Sequence, residues 1–346
     1  MILRNLILSV LQVCFLSLTT LAAEENGTQT VEFHEYSKEY FMYANTPQQL
    51  LGQVLIPKKP RILEIGAARG FFIEETLLTA SENEKKVEYV AVEFKESCRA
   101  TLRKIFESFS NHPFNHKCVL GLNPNVVDYI RRNPANKKEY FSSIISFYSL
   151  HCLCPSDLME VLLACQAFLK PEGDLCLTLQ CPEALETDSL TETLVSEFKR
   201  GDLFPGFNYD ETRTLGQMKT FLRETLDYPL SHALASKKDY PDALSFAHDF
   251  APISPTVHEC QWTQAILEAC GFEVKVCKEV TDTYPSRPLE IDEVSNDGIE
   301  TKYLYVEARK SNKGPKEEVL KGYRESARKK EENLFALYKA LVSPLE

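Results

Sequence analysis

Arg61-Ile62-Leu63-Glu64-Ile65-Gly66-Ala67-Ala68-Arg69-Gly70 is the stretch on which the reading of this chain turns. Arg61 to Ile65 is a short apolar run that stops at a glycine, as a strand buried on both faces does. Phe71–Ala80 follows with helical character. A glycine-rich turn between a strand and a helix lets the backbone bend sharply and approach a ligand closely. The helix beyond offers N–H groups and the positive end of its dipole. The crevice past the strand C-termini is where open α/β sheets bind ligands. A dinucleotide fingerprint read from Gly66 needs glycine at 68 and 71, where Ala68 and Phe71 stand. The spacing is instead acid-x-Gly-x-Ala-x-Gly, with Glu64 two residues before the first glycine.

On the C-terminal side, Val87–Glu93 is a second apolar run, and it ends in an acid. A carboxylate there accepts two hydrogen bonds from a ribose diol. Ser97–Phe109 carries Leu102, Ile105, Phe106 and Phe109 at helical spacing. His116–Leu122 predicts a third strand, Asn125–Arg132 a helix and Ser142–Tyr148 a fourth strand. Ser156–Leu169 predicts an amphipathic helix N-capped by Ser156. Lys170–Gly173 reads as a turn and Asp174–Gln180 as a fifth strand. This β-α alternation implies right-handed crossovers and a mostly parallel sheet with helices on both faces. Cys181–Pro255 breaks the rhythm, with helices expected at Leu190–Lys199 and Leu215–Leu226, and reads as an insertion over one end of the sheet. The rhythm resumes with a helix at Glu259–Cys270, stopped by Gly271, and strands at Phe272–Val280 and Tyr303–Ala308, with Pro285–Glu300 as a long polar connection. Lys316–Leu341 is a charged helix with Val319, Tyr323, Leu334, Tyr338 and Leu341 on one side. On the N-terminal side, a helical stretch starts at Tyr36, Tyr40, Phe41 and Tyr43, continues through Val54 and Leu55, and ends at Pro57 and Pro60.

The acid-x-Gly-x-Ala-x-Gly spacing resembles the first motif of the class I S-adenosylmethionine-dependent methyltransferases. Phe141–Leu153 is similar to that family's fourth strand, Phe168-Leu-Lys-Pro-Glu-Gly-Asp-Leu to its turn and fifth strand, and Leu267–Val274 to a late Gly-Phe element. Tyr43–Gln49 is similar to its aromatic lead helix. The resemblance implies a doubly wound, Rossmann-like seven-stranded sheet within residues 34–310, with a mostly helical lid inserted at about 181–258 and a charged C-terminal helix at 313–346. It also implies S-adenosyl-L-methionine as cofactor and methyl transfer to a small-molecule acceptor through O, N or S. Gly66, Ala67, Ala68 and Gly70 would then pass beside the methionine part, and Glu64 would orient its amino group. Glu93 would hold the ribose hydroxyls, Phe94 and Asn123 would flank the adenine, and Ser146 and Phe147 would line the sulfonium. The sequence departs from the family pattern at Ala68, a usual glycine, and at Ser142, a usual aspartate. Leu122 and Asn123 stand where the family places an acid after its third strand. A non-catalytic domain of this fold, acting as a binding or scaffold protein, is therefore a second reading. A nicotinamide-dependent oxidoreductase is disfavoured by the glycine register.

Charge narrows the substrate. The 346 residues hold 50 Asp and Glu against 39 Lys and Arg, a formal net charge of -11. Such a chain is repelled by nucleic acid, and no Asp/Asn-Pro-Pro-Tyr/Phe motif is present. The basic stretch Lys313–Lys330 is interleaved with Glu317, Glu318 and Glu325, which suits a solvated helix face or a protein-docking helix. His151 and His248 are the candidate bases toward the acceptor. Tyr209, His232, Asp249 and Trp262 are further candidates to line its pocket. His151-Cys152-Leu153-Cys154 lacks a second Cys/His pair at zinc spacing, so no metal site is expected. Cys118, Cys176 and Cys277 fall in expected strands, as buried thiols do. Residues 1–23 have Arg4, an apolar run at Leu6–Leu18, no further charge and small residues at Ala22 and Ala23. That is the layout of a secretory signal peptide, the alternative being a membrane anchor with the domain facing the cytosol. Asn26-Gly27-Thr28 fits an N-glycosylation pattern.

Overall fold

The computed structural model describes residues 45–93, 96–110, 116–120, 139–147, 149–179, 181, 203–204, 240–250, 258–284 and 299–342. The elements run α1 (Asn45–Val54), β1 (Arg61–Ile65), α2 (Phe71–Glu82), β2 (Glu88–Val92), α3 (Glu96–Ser110), β3 (Lys117–Leu120) and β4 (Phe141–Phe147). After a single 3-10 turn at Leu150–Cys152 come α4 (Pro155–Phe168), β5 (Leu169–Leu179), α5 (Ala243–Phe250), α6 (Cys260–Ala269), β6 (Phe272–Tyr284), β7 (Ile299–Lys310) and α7 (Glu317–Val342). The strands form one seven-stranded sheet in the order β3-β2-β1-β4-β5-β7-β6. β1 to β5 are parallel, and β7 inserts antiparallel between β5 and β6. The expected doubly wound sheet is borne out. The order reverses at β1, whose other neighbour is β4, so the crevice beyond the C-terminal ends of β1 and β4 is the topological switch point.

Side-chain alternation explains why the sheet carries helices on both faces. Successive strand residues point to opposite sides. Ile62, Tyr89, Ala91, Ile145 and Cys176 pack under α1, α2 and α3 in one apolar cluster. Leu63, Ile65, Val90, Val92, Ile144, Leu175 and Leu177 pack under α4, α6 and α7 in the other. Both faces of β1 and β2 are apolar, and such strands are stable only when covered on both sides.

Three local expectations are corrected. Ser156 does not cap α4; Cys154 is the N-cap residue and Pro155 opens the helix, as its missing N–H permits. The Ser156 N–H and hydroxyl instead donate to the two carboxyl oxygens of Glu331 on α7, at 2.9 and 2.8 Å. Lys170–Gly173 does not separate α4 from β5. Leu169 already pairs with Phe141, and the ladder resumes at Asp174 opposite Ser143, so the turn is an excursion inside the strand, with Glu172 left-handed. On α7 the packed stripe is Leu320, Tyr323, Ala327, Leu334, Phe335 and Tyr338, whereas Val319 is exposed. That stripe is occupied by the domain itself, with Phe246 of α5 stacked on Phe335 and Tyr338.

Residues 1–44, most of the inserted region and the segment after β3 lie outside the described residues. They include the leader, the glycosylation pattern, Asn123, Tyr209 and His232. Phe94 and the Asp249 side chain lie outside them too. No helix among the described residues is long and apolar enough to cross a membrane.

Candidate functional site

The turn after β1 is held by unusual backbone. Gly66, Ala68 and Gly70 all have left-handed φ values, of 74, 46 and 81°. Glycine suits two of these positions for separate reasons. A Cβ on Gly66 would collide with the Cβ and hydroxyl of Ser149, and one on Gly70 would come within 2.5 Å of Leu102 Cδ2 on α3. Ala68 adopts the same backbone with a side chain, at a cost of about 1–2 kcal/mol. The Gly66 N–H donates to Val92 O at 2.9 Å, which sews the turn to the end of β2. Gly70 then caps α2 and directs its N-terminus at the turn.

Two buried carboxyls flank this turn. Glu93, one residue past β2, accepts the Ala68 N–H through Oε2 at 2.7 Å. Glu64 lies near the end of β1, 3% exposed, and accepts the Tyr89 hydroxyl at 2.8 Å. Burial pushes the Glu64 carboxyl up to about 8; the Tyr89 hydrogen bond opposes this and the Glu93 charge adds to it. Near neutral pH Glu64 is therefore mostly protonated. A nearby cation would reverse that, since an opposite charge favours the ionised form.

The loop after β4 closes over the turn. The Ser146 hydroxyl, fully buried, shares a 2.5 Å hydrogen bond with Ser149, whose hydroxyl donates to Ile65 O at 2.8 Å. Phe147 is half-buried and tilts against Phe72 of α2, ring centroids 5.1 Å apart. Ser149 was not foreseen as part of the site; no local pattern marks it, and only its seat over Gly66 does. Ser142, the substituted family aspartate, lies at the opposite end of β4. Its hydroxyl accepts from the Arg61 N–H and donates to Arg61 O, tying β4 to the start of β1.

The two candidate bases have different surroundings. His151, in the 3-10 turn, is buried, and its pKa is lowered to about 4 by that burial. It interacts with His258, a second buried histidine lowered to about 3 by burial and then by His151. Both rings are neutral near pH 7. His258 meets Trp262 at 5.0 Å between ring centroids, and Trp262 packs against Phe204. Among the described residues no hydrogen-bond partner reaches either nitrogen of His258, Trp262 Nε1 or Thr263 Oγ1. His258 was missed because a histidine just before a helix carries no motif. His248, on α5, is instead paired with Asp157 of α4, Nε2 to Oδ2 2.7 Å.

No protein-family model matches the sequence, and no curated protein matches it. Solved structures resemble it in outline. A proposed methyltransferase from Bacillus halodurans is 13% identical, with a TM-score of 0.42 over 78% of this chain and 100% of that one. A SAM-dependent methyltransferase from Methanosarcina mazei is 12% identical, with a TM-score of 0.41 over 76% of this chain and 97% of that one. An O-methyltransferase family protein from Burkholderia thailandensis is 11% identical, with a TM-score of 0.39 over 77% and 56% of the two chains.

Proposed function

We propose that this protein is an S-adenosyl-L-methionine-dependent methyltransferase acting on a small-molecule acceptor. One observation carries the reading: two buried carboxyls, Glu64 and Glu93, stand on either side of a left-handed turn at the switch point of the sheet. A dinucleotide would bring a pyrophosphate to this turn, where the register Gly66, Ala68 and Phe71 lacks the glycines it needs. A nucleoside carrying an ammonium and a sulfonium suits the two carboxyls. The residues fit the cofactor in two respects: Glu93, at the end of β2, would accept from a ribose diol, and Glu64, uncharged, would meet a cationic amine.

Bound there, the cofactor supplies a methyl group on a positively charged sulfur. Transfer to an acceptor then needs alignment and exclusion of water more than acid–base chemistry. Ser146, Ser149 and Phe147 wall the crevice on the β4 side. His151 and His258 are neutral near pH 7 and offer ring nitrogens as hydrogen-bond partners to an acceptor, though pKa values of about 4 and 3 make them weak bases there. We place the acceptor against them. The leader remains our reason to place the protein in the secretory pathway or on a membrane.

Calorimetric titration of the full chain with S-adenosylhomocysteine tests the reading, beside Glu93→Ala. Micromolar binding lost in the variant is expected. A well-folded protein that binds neither S-adenosylhomocysteine nor S-adenosylmethionine would overturn it and favour the scaffold reading.

A further inference from the structure

Away from the switch-point crevice, three ligand-type side chains from two distant parts of the chain meet. Cys154 caps α4, Asp157 lies in its first turn, and His248 comes from α5, inside the inserted region. The Cys154 sulfur, an Asp157 oxygen and a His248 nitrogen all lie within 4.8 Å of one another. Cys154 and Asp157 are buried, and the His248 side chain is about one-third exposed, so the cluster is open to solvent on one side only. Glu331 of α7 stands behind it, buried, with both oxygens held by Ser156.

We propose that Cys154, Asp157 and His248 form a binding site for a divalent transition ion, zinc in the first instance. One thiolate, one imidazole and one carboxylate are donors that zinc accepts together, and three protein ligands leave a position for water at the exposed side. Tetrahedral zinc with these ligands places the donor atoms about 3.4–3.6 Å apart. His248 and Asp157 are closer than that, at 2.7 Å, and the sulfur lies within 4.8 Å of both. An ion between the three would replace the direct His248–Asp157 contact. Binding would release the thiol proton to solvent as the sulfur–metal bond forms. The ion would pin α5 to α4. The metal absence expected from His151-Cys152-Leu153-Cys154 came from looking within the local sequence. Of those four residues only Cys154 takes part, and its partner lies on α5.

The test uses the full chain without a histidine tag, dialysed against cobalt or zinc. One tightly held equivalent is expected, with a cobalt–thiolate charge-transfer band. Cys154→Ser should abolish that band, His248→Ala should weaken retention at least about tenfold, and Cys118→Ser should change neither. Chelation should lower the melting temperature of the wild type but not of Cys154→Ser. No retained ion, or the same cobalt spectrum in Cys154→Ser and wild type, would overturn the proposal. None of these readouts depends on methyl transfer or on S-adenosylhomocysteine binding.

Discussion

Glu64→Gln should change how stability depends on pH, and the direction follows from burial. The Glu64 carboxyl titrates near 4.5 in an ordinary setting and at about 8 in the fold. The unfolded chain therefore gives up this proton first, and each step upward in pH between those values favours unfolding. What Glu64 contributes is fully present below 4.5 and is lost as pH rises through about 8. A tenfold shift in a protonation equilibrium is about 1.4 kcal/mol, so the whole span approaches roughly 5 kcal/mol. Between about pH 6 and about pH 8 the loss is roughly 2–3 kcal/mol. Glutamine keeps an acceptor for the Tyr89 hydroxyl and removes the titration. It also buries an amide NH2 group, a pH-independent cost of about 1–3 kcal/mol. The offset between wild type and variant is thus uninformative, and the slope is diagnostic. Urea unfolding at several pH values and constant ionic strength measures it. The stability difference should move by roughly 2–3 kcal/mol in favour of the variant over that window. Curves that run parallel from about pH 6 to about pH 8 would refute the assignment of a buried, mostly neutral Glu64.

Other perturbations probe the rest of the site. Ala68→Gly should raise the melting temperature by roughly 1–3 °C, because release of the left-handed strain outweighs the entropy glycine adds to the unfolded chain; a lower melting temperature contradicts the strain. Ser142→Ala should cost about 1–2 kcal/mol through two lost hydrogen bonds to Arg61 yet leave S-adenosylhomocysteine affinity unchanged, and weakened binding would contradict its place at the far end of β4. His258→Phe should flatten the acid side of the stability profile. His151 and His258 are held neutral, so their stabilisation is present above 6.5 and is lost as pH falls toward about 4 and about 3; an unchanged acid limb would count against burial of His258. If the amine of S-adenosylhomocysteine meets Glu64, binding near pH 7 should release close to one proton, read as a dependence of the calorimetric heat on buffer ionisation enthalpy. Glu64→Gln should abolish that release, and a wild type that releases none would count against contact between amine and carboxyl.

The parallel half of the fold was legible because its strands are apolar on both faces and its turns carry glycine or proline. Five of the expected strands begin within two residues of their observed positions, whereas β5 begins five residues earlier than expected, at Leu169, because its ladder runs through the Lys170–Gly173 excursion. β7 starts at Ile299, four residues earlier than expected, because its first residues pair with β6 ahead of the ladder with β5, which runs from Leu304, and the polar Glu300 and Lys302 there hide it in the sequence. Glu64, Gly66 and Glu93 were legible because chemistry and backbone demand coincide at one short turn. Ser149 and His258 were not. Ser149 matters through the space above Gly66, and His258 through a histidine more than a hundred residues earlier, and neither relation has a local signature. The pairing of His248 with Asp157 was hidden likewise, since it joins the inserted region to α4.

The titration of the buried groups links the shape of the stability profile to the proposed ligand. Glu64 destabilises the fold as pH rises above 4.5, and the two histidines destabilise it as pH falls below 6.5. The arms overlap between 4.5 and 6.5, where two histidines outweigh one carboxyl, so the contribution of these three groups peaks near pH 6.5, each group adding a slope of about 1.4 kcal/mol per pH unit on its own side. A ligand that places a cation beside Glu64 lowers its pKa and removes the alkaline arm, while the acid arm stays. A neutral or anionic ligand in the same crevice has no such effect and would leave both arms in place. The pH profile of stability with ligand present thus distinguishes a cationic nucleoside from a neutral or anionic ligand at this turn.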